Sequence, residues 1–242
     1  MISRFAFLAV LLLVLVSPLS AQELTIASSY SPPYSTDDGT GILDRIIAAA
    51  CDRIDLHIEV VRMPAERALA DANSGVVDGV IARVLHMNRL YPQLVWVPSA
   101  TIPARDFVAF SRAGVPDIVG WEGLAGFNVA FVRGWKIVER NVVGAESSVA
   151  VDSTRRAFDL LARRRTEVVV NARLDGSVMA RELGIEDVRI HEPPLASVRL
   201  YPYLHERHAG LADDLAAALD ELKADGTFDR IYAEGMSEPD ES

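Results

Sequence analysis

The chain has 242 residues, of which 24 are Lys or Arg and 34 Asp or Glu, giving a formal net charge of −10. That acidic balance argues against a nucleic-acid partner, and a single cysteine, Cys51, excludes an intramolecular disulfide. Half of the residues are hydrophobic, enough to build one large core or two lobes of near 100 residues each.

The amino end carries Arg4, then twelve uninterrupted apolar residues from Phe5 to Val16, then Ser17, Pro18 and the small pair Ser20-Ala21. This is the order of a secretory signal peptide, with cleavage expected after Ala21 and a periplasmic product. Leu19 occupies the position where a smaller residue would make that cut fast. A spanning helix needs about 20 apolar residues, and no later run supplies them, so the mature chain is expected to be soluble once exported. Losing residues 1–21 removes one of the 24 basic residues and none of the 34 acidic ones, for a mature charge of −11.

Glu23 to Ser28 reads as a strand, followed by the turn-rich SSYSPPYSTDDGTG and a helix carrying Ile42, Ile46, Ile47 and Ala50. Cys51 lies on its apolar side, where a small core residue is expected rather than a catalytic thiol. His57 to Val61 alternates as a strand. Pro64 can start a helix that runs through Ala72 and stops at Asn73-Ser74-Gly75, and Val80 to Ala82 is a third strand. Strands alternating with helices at this spacing imply parallel pairing, with helices on the faces of the sheet.

Extended stretches follow at Val95 to Val97 and Phe107 to Phe110, then a loop over Gly120 to Gly126. A second α/β unit begins with the strand Asn128 to Val132, and Arg133-Gly134-Trp135 opens a helix. Ser153 caps a helix over Thr154 to Arg163, Glu167 to Val170 is a buried strand, and a helix over Asp175 to Glu182 ends at Gly184. Val188 to His191 and Val198 to Tyr203 are extended on either side of the HEPPLAS break. The last strong helix puts Leu211, Leu215, Leu219 and Leu222 on one face, with Gly226 placed for a left-handed cap. Phe228, Ile231 and Tyr232 extend it into a short closing helix, and residues 235–242 are expected to fray.

The segments ELTIASSYSPPYS, GILDRI, GVVDGV, WEGLAGFNVAFVRG and LDELKADGTFDRIY, in this order behind a signal peptide, resemble the type II periplasmic solute-binding proteins that include the amino-acid receptors. The resemblance implies two α/β lobes joined by two crossover strands, with ligand held in the cleft between them. One lobe would comprise residues 22–108 and 198–242, the other 112–194, with hinges near 107–112 and 193–200. Hinge closure around a ligand that touches both lobes would then be the working motion.

Several side chains are placed to serve such a cleft. Tyr30 and Tyr34 sit in the loop after the first strand, at the carboxyl end where open α/β sheets receive ligands. Arg83 directly follows a hydrophobic strand and Arg67 lies early in the helix from Pro64. A guanidinium on either offers a planar fork matched to a carboxylate. The resemblance adds Arg89, because the amino-acid receptors place their carboxylate-binding arginine about a dozen residues after the aspartate of this turn, here Asp78. Which of Arg67, Arg83 and Arg89 holds the anion stays open at this level. Arg133, Gly134 and Trp135 end a strand and open a helix, where free N–H groups favour an anionic group. The amino-acid receptors carry a carboxylate for the ligand's ammonium group near the end of the Glu167–Val170 strand. Asn171 stands there instead, which favours an anion without the amine.

His205 and His208 lack the companions of a metal site and are expected at the surface, so no metal or cofactor is expected. No P-loop or nucleophile elbow is present. The implied function is capture of a small carboxylate-bearing solute, without chemistry, for a separate inner-membrane transporter or sensor, by a monomer. The alternative is an exported lyase of the cyclohexadienyl dehydratase type on the same fold, which would need a general acid in the cleft.

Overall fold

A computed structural model describes residues 23–237. The expected signal segment and its cleavage point lie outside this range. The chain begins with β1 (Glu23–Ser28), α1 (Ile42–Asp52), β2 (His57–Arg62), α2 (Ala65–Asn73), β3 (Gly79–Arg83) and β4 (Leu94–Trp96), before a long strand β5 (Ile102–Arg112). It continues through β6 (Asn128–Val132), α3 (Lys136–Asn141), β7 (Ser147–Val151), α4 (Thr154–Ala162), β8 (Val168–Ala172), α5 (Arg173–Glu182) and β9 (Val188–Ile190). A second long strand, β10 (Ala196–His205), leads to α6 (Ala212–Ala224) and α7 (Thr227–Ser237). No helix among the described residues is long and apolar enough to cross a membrane.

The strands run in the order β2-β1-β3-β10-β5-β8-β6-β7, with β4 added to β10 and β9 to β5. β1 pairs in parallel with β2 and β3, and β6 pairs in parallel with β7 and β8, so each group has the crossover geometry expected of βα repeats. The two groups meet only through the long antiparallel strands. β10 pairs with β5 over Ala196 to Leu200 and then turns to β3 and β4 over Tyr201 to His205. β5 pairs with β10 over Ile102 to Phe107 and with β8 from Phe107 to Ser111. The ladder is therefore continuous in hydrogen bonds, yet it is a curled connection of two separately cored sheets. β5 exchanges its partner at Phe107.

Each sheet is covered on both faces, which is why strands such as β3 and β8 are buried at every position. Helices α1, α6 and α7 cover one face of the first sheet through Ile42, Ile46, Ile47, Leu215, Leu219 and Phe228. Helix α2 covers the other through Ala68, Leu69 and Ala72. In the second lobe, α4 and α5 enclose Phe110, Phe158 and Leu161, while Ile118, Leu124, Phe131 and Val138 fill the opposite face. Cys51 is buried in the first core, and desolvation pushes its thiol pKa up to about 12, so it is an inert core residue.

Two local expectations are corrected, and one strand was not foreseen. Residues 235–237 do not fray but end α7, because Gly235 lets that helix approach Ile42 of α1 so closely that a Cβ would sit 2.3 Å from Ile42 Cγ1. His208 is not a surface histidine: its ring is 10 % exposed and its Nε2 lies 2.6 Å from Asp78 Oδ1. The strand β7 had no sequence counterpart, since SSVAV is an edge strand whose first three residues are exposed. Among the described residues no cluster of His, Cys, Asp and Glu is arranged to hold a metal ion.

Candidate functional site

The carboxyl ends of β1 and β2 face those of β6 and β7 across a cleft of about 360 Å³. Its walls come from both lobes: Ser29, Tyr30 and Arg62 on one side, Trp135, Asp152 and Thr154 on the other. Beneath it lies a smaller cavity of about 20 Å³ whose lining includes Tyr30, Arg83, Arg105, Trp135 and Lys136.

Arg83 ends β3 at a β-bulge. In the pairing of β3 with β10, Tyr201 faces Arg83 and Tyr203 faces Val80, so β3 carries one extra residue, and Ala82 takes it up with φ at +56°. A left-handed alanine is strained by about 1–2 kcal/mol, and such bulges re-aim the side chain beside them. The Tyr30 hydroxyl fixes the distortion by donating to the Ala82 carbonyl at 2.6 Å. The result is a guanidinium only 5 % exposed. Its Nη1 donates to Ser29 Oγ at 2.8 Å, while Nε and Nη2 have no hydrogen-bond partner. The Tyr30 oxygen, its own proton donated to Ala82, lies beside the guanidinium and favours its charged form through its partial negative charge and a hydrogen-bonding contact looser than a full bond. Desolvation lowers the Arg83 pKa, though an arginine retains its proton. No carboxylate among the described residues lies within ion-pair distance of it.

Arg105, on the crossover strand β5, is also buried, and sequence reasoning missed it. Its Nη2 pairs with Asp175 Oδ2 at 2.5 Å, while Nη1 is buried without a partner. The guanidinium carbon stands 4.8 Å from the ring centres of both Tyr30 and Tyr34 and 6.0 Å from that of Trp135. Burial, the largest influence, would lower its pKa, but the Asp175 charge together with the surrounding tyrosines Tyr30, Tyr34 and Tyr232 raises it. Desolvation likewise raises the Tyr30 and Tyr34 hydroxyl pKa values, so both phenols stay neutral.

The remaining expected residues divide sharply. Trp135 is 9 % exposed, packs edge-on against Phe107 and lines both cavities. Arg67 has a side chain 70 % exposed, pairs with Asp71 one helical turn on, and is not brought to the cleft. Arg89 is exposed in a short 3₁₀ turn and does not reach it either. Arg133 turns back along its own lobe to Asp152 and the Ala150 carbonyl. The free N–H groups expected at Arg133-Gly134-Trp135 are already used: they donate to the Val151 carbonyl, the Glu139 carboxylate and the Val132 carbonyl. The helix that follows is six residues long, and its own Glu139 supplies the anion. Gly134 serves another purpose, because a Cβ there would lie 2.5 Å from the Glu66 nitrogen across the cleft. Asn171 is fully buried with Nδ2 3.4 Å from Thr154 Oγ1 and no partner for Oδ1. Asp175, one helical turn after Asn171, carries a carboxylate that is already paired with Arg105.

A third cation, Lys136, bridges the lobes. It donates to Glu66 of α2 at 2.6 Å and to Glu139 at 2.8 Å, with Tyr91 also donating to Glu66. Desolvation opposes these bonds but does not overcome them, so Lys136 is raised and Glu66 lowered.

The arrangement of two three-layer lobes on paired crossover strands decides the fold against solved structures. A histidine kinase sensor domain with similarity to periplasmic binding proteins superposes with TM-score 0.77 at 21 % identity, over 90 % of this chain and 99 % of that one. The chain has the type II periplasmic-binding-protein fold. An arginine-binding protein of T. maritima matches with TM-score 0.75 at 20 % identity, over 89 % of this chain and 96 % of that one. The GluR0 ligand-binding core in complex with L-glutamate matches with TM-score 0.76 at 16 % identity, over 89 % and 98 % of the two chains. By sequence, an uncharacterized protein of Shewanella oneidensis is 25 % identical over 176 residues, 69 % of this chain and 66 % of that protein, just under two thirds of its length. No family model matches.

Proposed function

We propose that this protein is an exported solute-binding protein that closes on a small carboxylate-bearing molecule, using Arg83 as the anion clamp, and delivers it to a membrane transporter or sensor. The observation that carries this is the state of Arg83. Of the three cations lining the small cavity, Arg105 is answered by Asp175 and Lys136 by Glu66 and Glu139. Arg83 has no counter-charge, and its Nε and Nη2, the edge that grips a carboxylate in two places, have no protein partner. Burying an unanswered charge is costly, which favours an anion from outside the chain.

The cavity at Arg83 has room for about one water, so solute entry requires the lobes to part. We place the hinge where β5 and β10 pair with each other, at Ile102–Phe107 and Ala196–Leu200, with the first lobe made by β1–β4 and the carboxyl-terminal helices. The L-glutamate named for the GluR0 ligand-binding core supports a carboxylate as the recognised group. A lyase would need a general acid in the cleft. The carboxyl with a raised pKa, Asp44, is raised by burial and holds the start of α1 through Ser35, Thr36 and Gly41.

The test is a melting-temperature screen of monocarboxylates, dicarboxylates and amino acids, since a ligand that binds only the folded state raises the melting temperature. A carboxylate that stabilises the parent and is recovered unchanged supports the reading. Conversion of the hit to product at a catalytic rate would replace it with the lyase.

A further inference from the structure

We infer that Arg105 is a built-in cation occupying the aromatic compartment of the cleft, and that it restricts the ligand to anions carrying no cationic group of their own. This rests on the cleft being a solute site and specifies the class of solute. Tyr30 and Tyr34 come from the first lobe, Trp135 and Asp175 from the second, and all four converge on one guanidinium. Aromatic faces around a cation, with a buried carboxylate at its end, are a receptor for a guanidinium or ammonium group. Here the receptor is filled from within, because Arg105 is anchored on a crossover strand through its Val198 pairing and cannot leave as a solute does. Arg105 is 4 % exposed and Asp175's side chain 9 %, so the pair is a largely buried contact. A ligand bearing its own ammonium or guanidinium would find neither the aromatic faces nor the carboxylate free. What it would meet is the buried, unpartnered Nη1 of Arg105, a donor that can pair only with an anion or a neutral acceptor.

The experiment removes the internal cation and offers a replacement. Arg105→Ala in the full chain is melted with ~10 mM methylguanidinium chloride against equal sodium chloride, beside the parent. The variant is expected to gain stability with the cation while the parent does not. Calorimetry should give a dissociation constant on the order of millimolar, as befits so few atoms, and at least tenfold tighter than the parent's. Asp175→Asn added to Arg105→Ala should abolish the effect. If Arg105→Ala does not fold by itself, methylguanidinium is expected to restore cooperative melting. A variant that neither binds methylguanidinium nor recovers with it overturns the inference, as does a parent that binds it equally well. This arm contains no carboxylate, so its failure is separate from a failure of Arg83 to bind an anion.

Discussion

At the scale of single residues, the charge pairs differ in what they contribute. Asp225 follows α6 and accepts from Arg53 at the end of α1 and from the Thr227 backbone at the start of α7, and these bonds, in that order, lower its pKa to about 2. A carboxyl whose folded pKa is depressed stabilises the fold above its unfolded pKa and loses that contribution as pH falls through the folded value. The melting temperature is therefore expected to fall between about pH 4 and pH 2, and Asp225→Asn to flatten the profile in that window. An unchanged slope in the variant would remove Asp225 from the acid response. Arg83 is the opposite case, a charge whose burial serves binding: Arg83→Ala should leave the fold intact while weakening the bound carboxylate by roughly 1.5–3 kcal/mol.

Among the elements, α5 matters most to the site because it carries Asp175. Its next residue, Gly176, sits against the Phe110 ring of β5, and a Cβ there would lie 2.3 Å from Phe110 Cζ. That ring is fully buried and packed edge-on against Phe158 at 5.1 Å, so it cannot yield. Gly176→Ala is expected to destabilise the protein by about 1–3 kcal/mol in urea unfolding, the range for overpacking a core. The strands and helices were largely legible in the sequence because apolar runs bounded by Gly, Pro and Asn follow from two-sided burial. The half-polar edge strand β7 left no such pattern. The site was legible only where a side chain ends a strand, as with Tyr30, Arg83 and Trp135. Arg105 and Asp175 were not. An arginine inside a strand reads as a solvated edge until the fold covers it, and residues 30, 34, 105, 135 and 175 share no spacing. A guanidinium without a partner is a property of three-dimensional packing alone.

For the whole molecule, Gly134 of one lobe lies against the Ala65–Glu66 backbone of the other, beside the Lys136–Glu66 pair, a contact that the proposed opening of the lobes would break. At φ +85° a side chain there is strained in either state, but only the closed state suffers the overlap. Gly134→Ala is thus expected to shift the lobes apart, raising the radius of gyration in X-ray scattering and weakening the solute by about tenfold or more. A variant that scatters and binds like the parent would show that the two lobes need not approach so closely. The account as a whole depends on an external carboxylate meeting Arg83. Its most direct test is calorimetric titration of the best carboxylate into the parent and Arg83→Ala side by side. One saturable site in the parent, weakened roughly 10- to 150-fold in the variant, is the result expected from a lost charge-assisted hydrogen bond. Equal affinity in both proteins would contradict it.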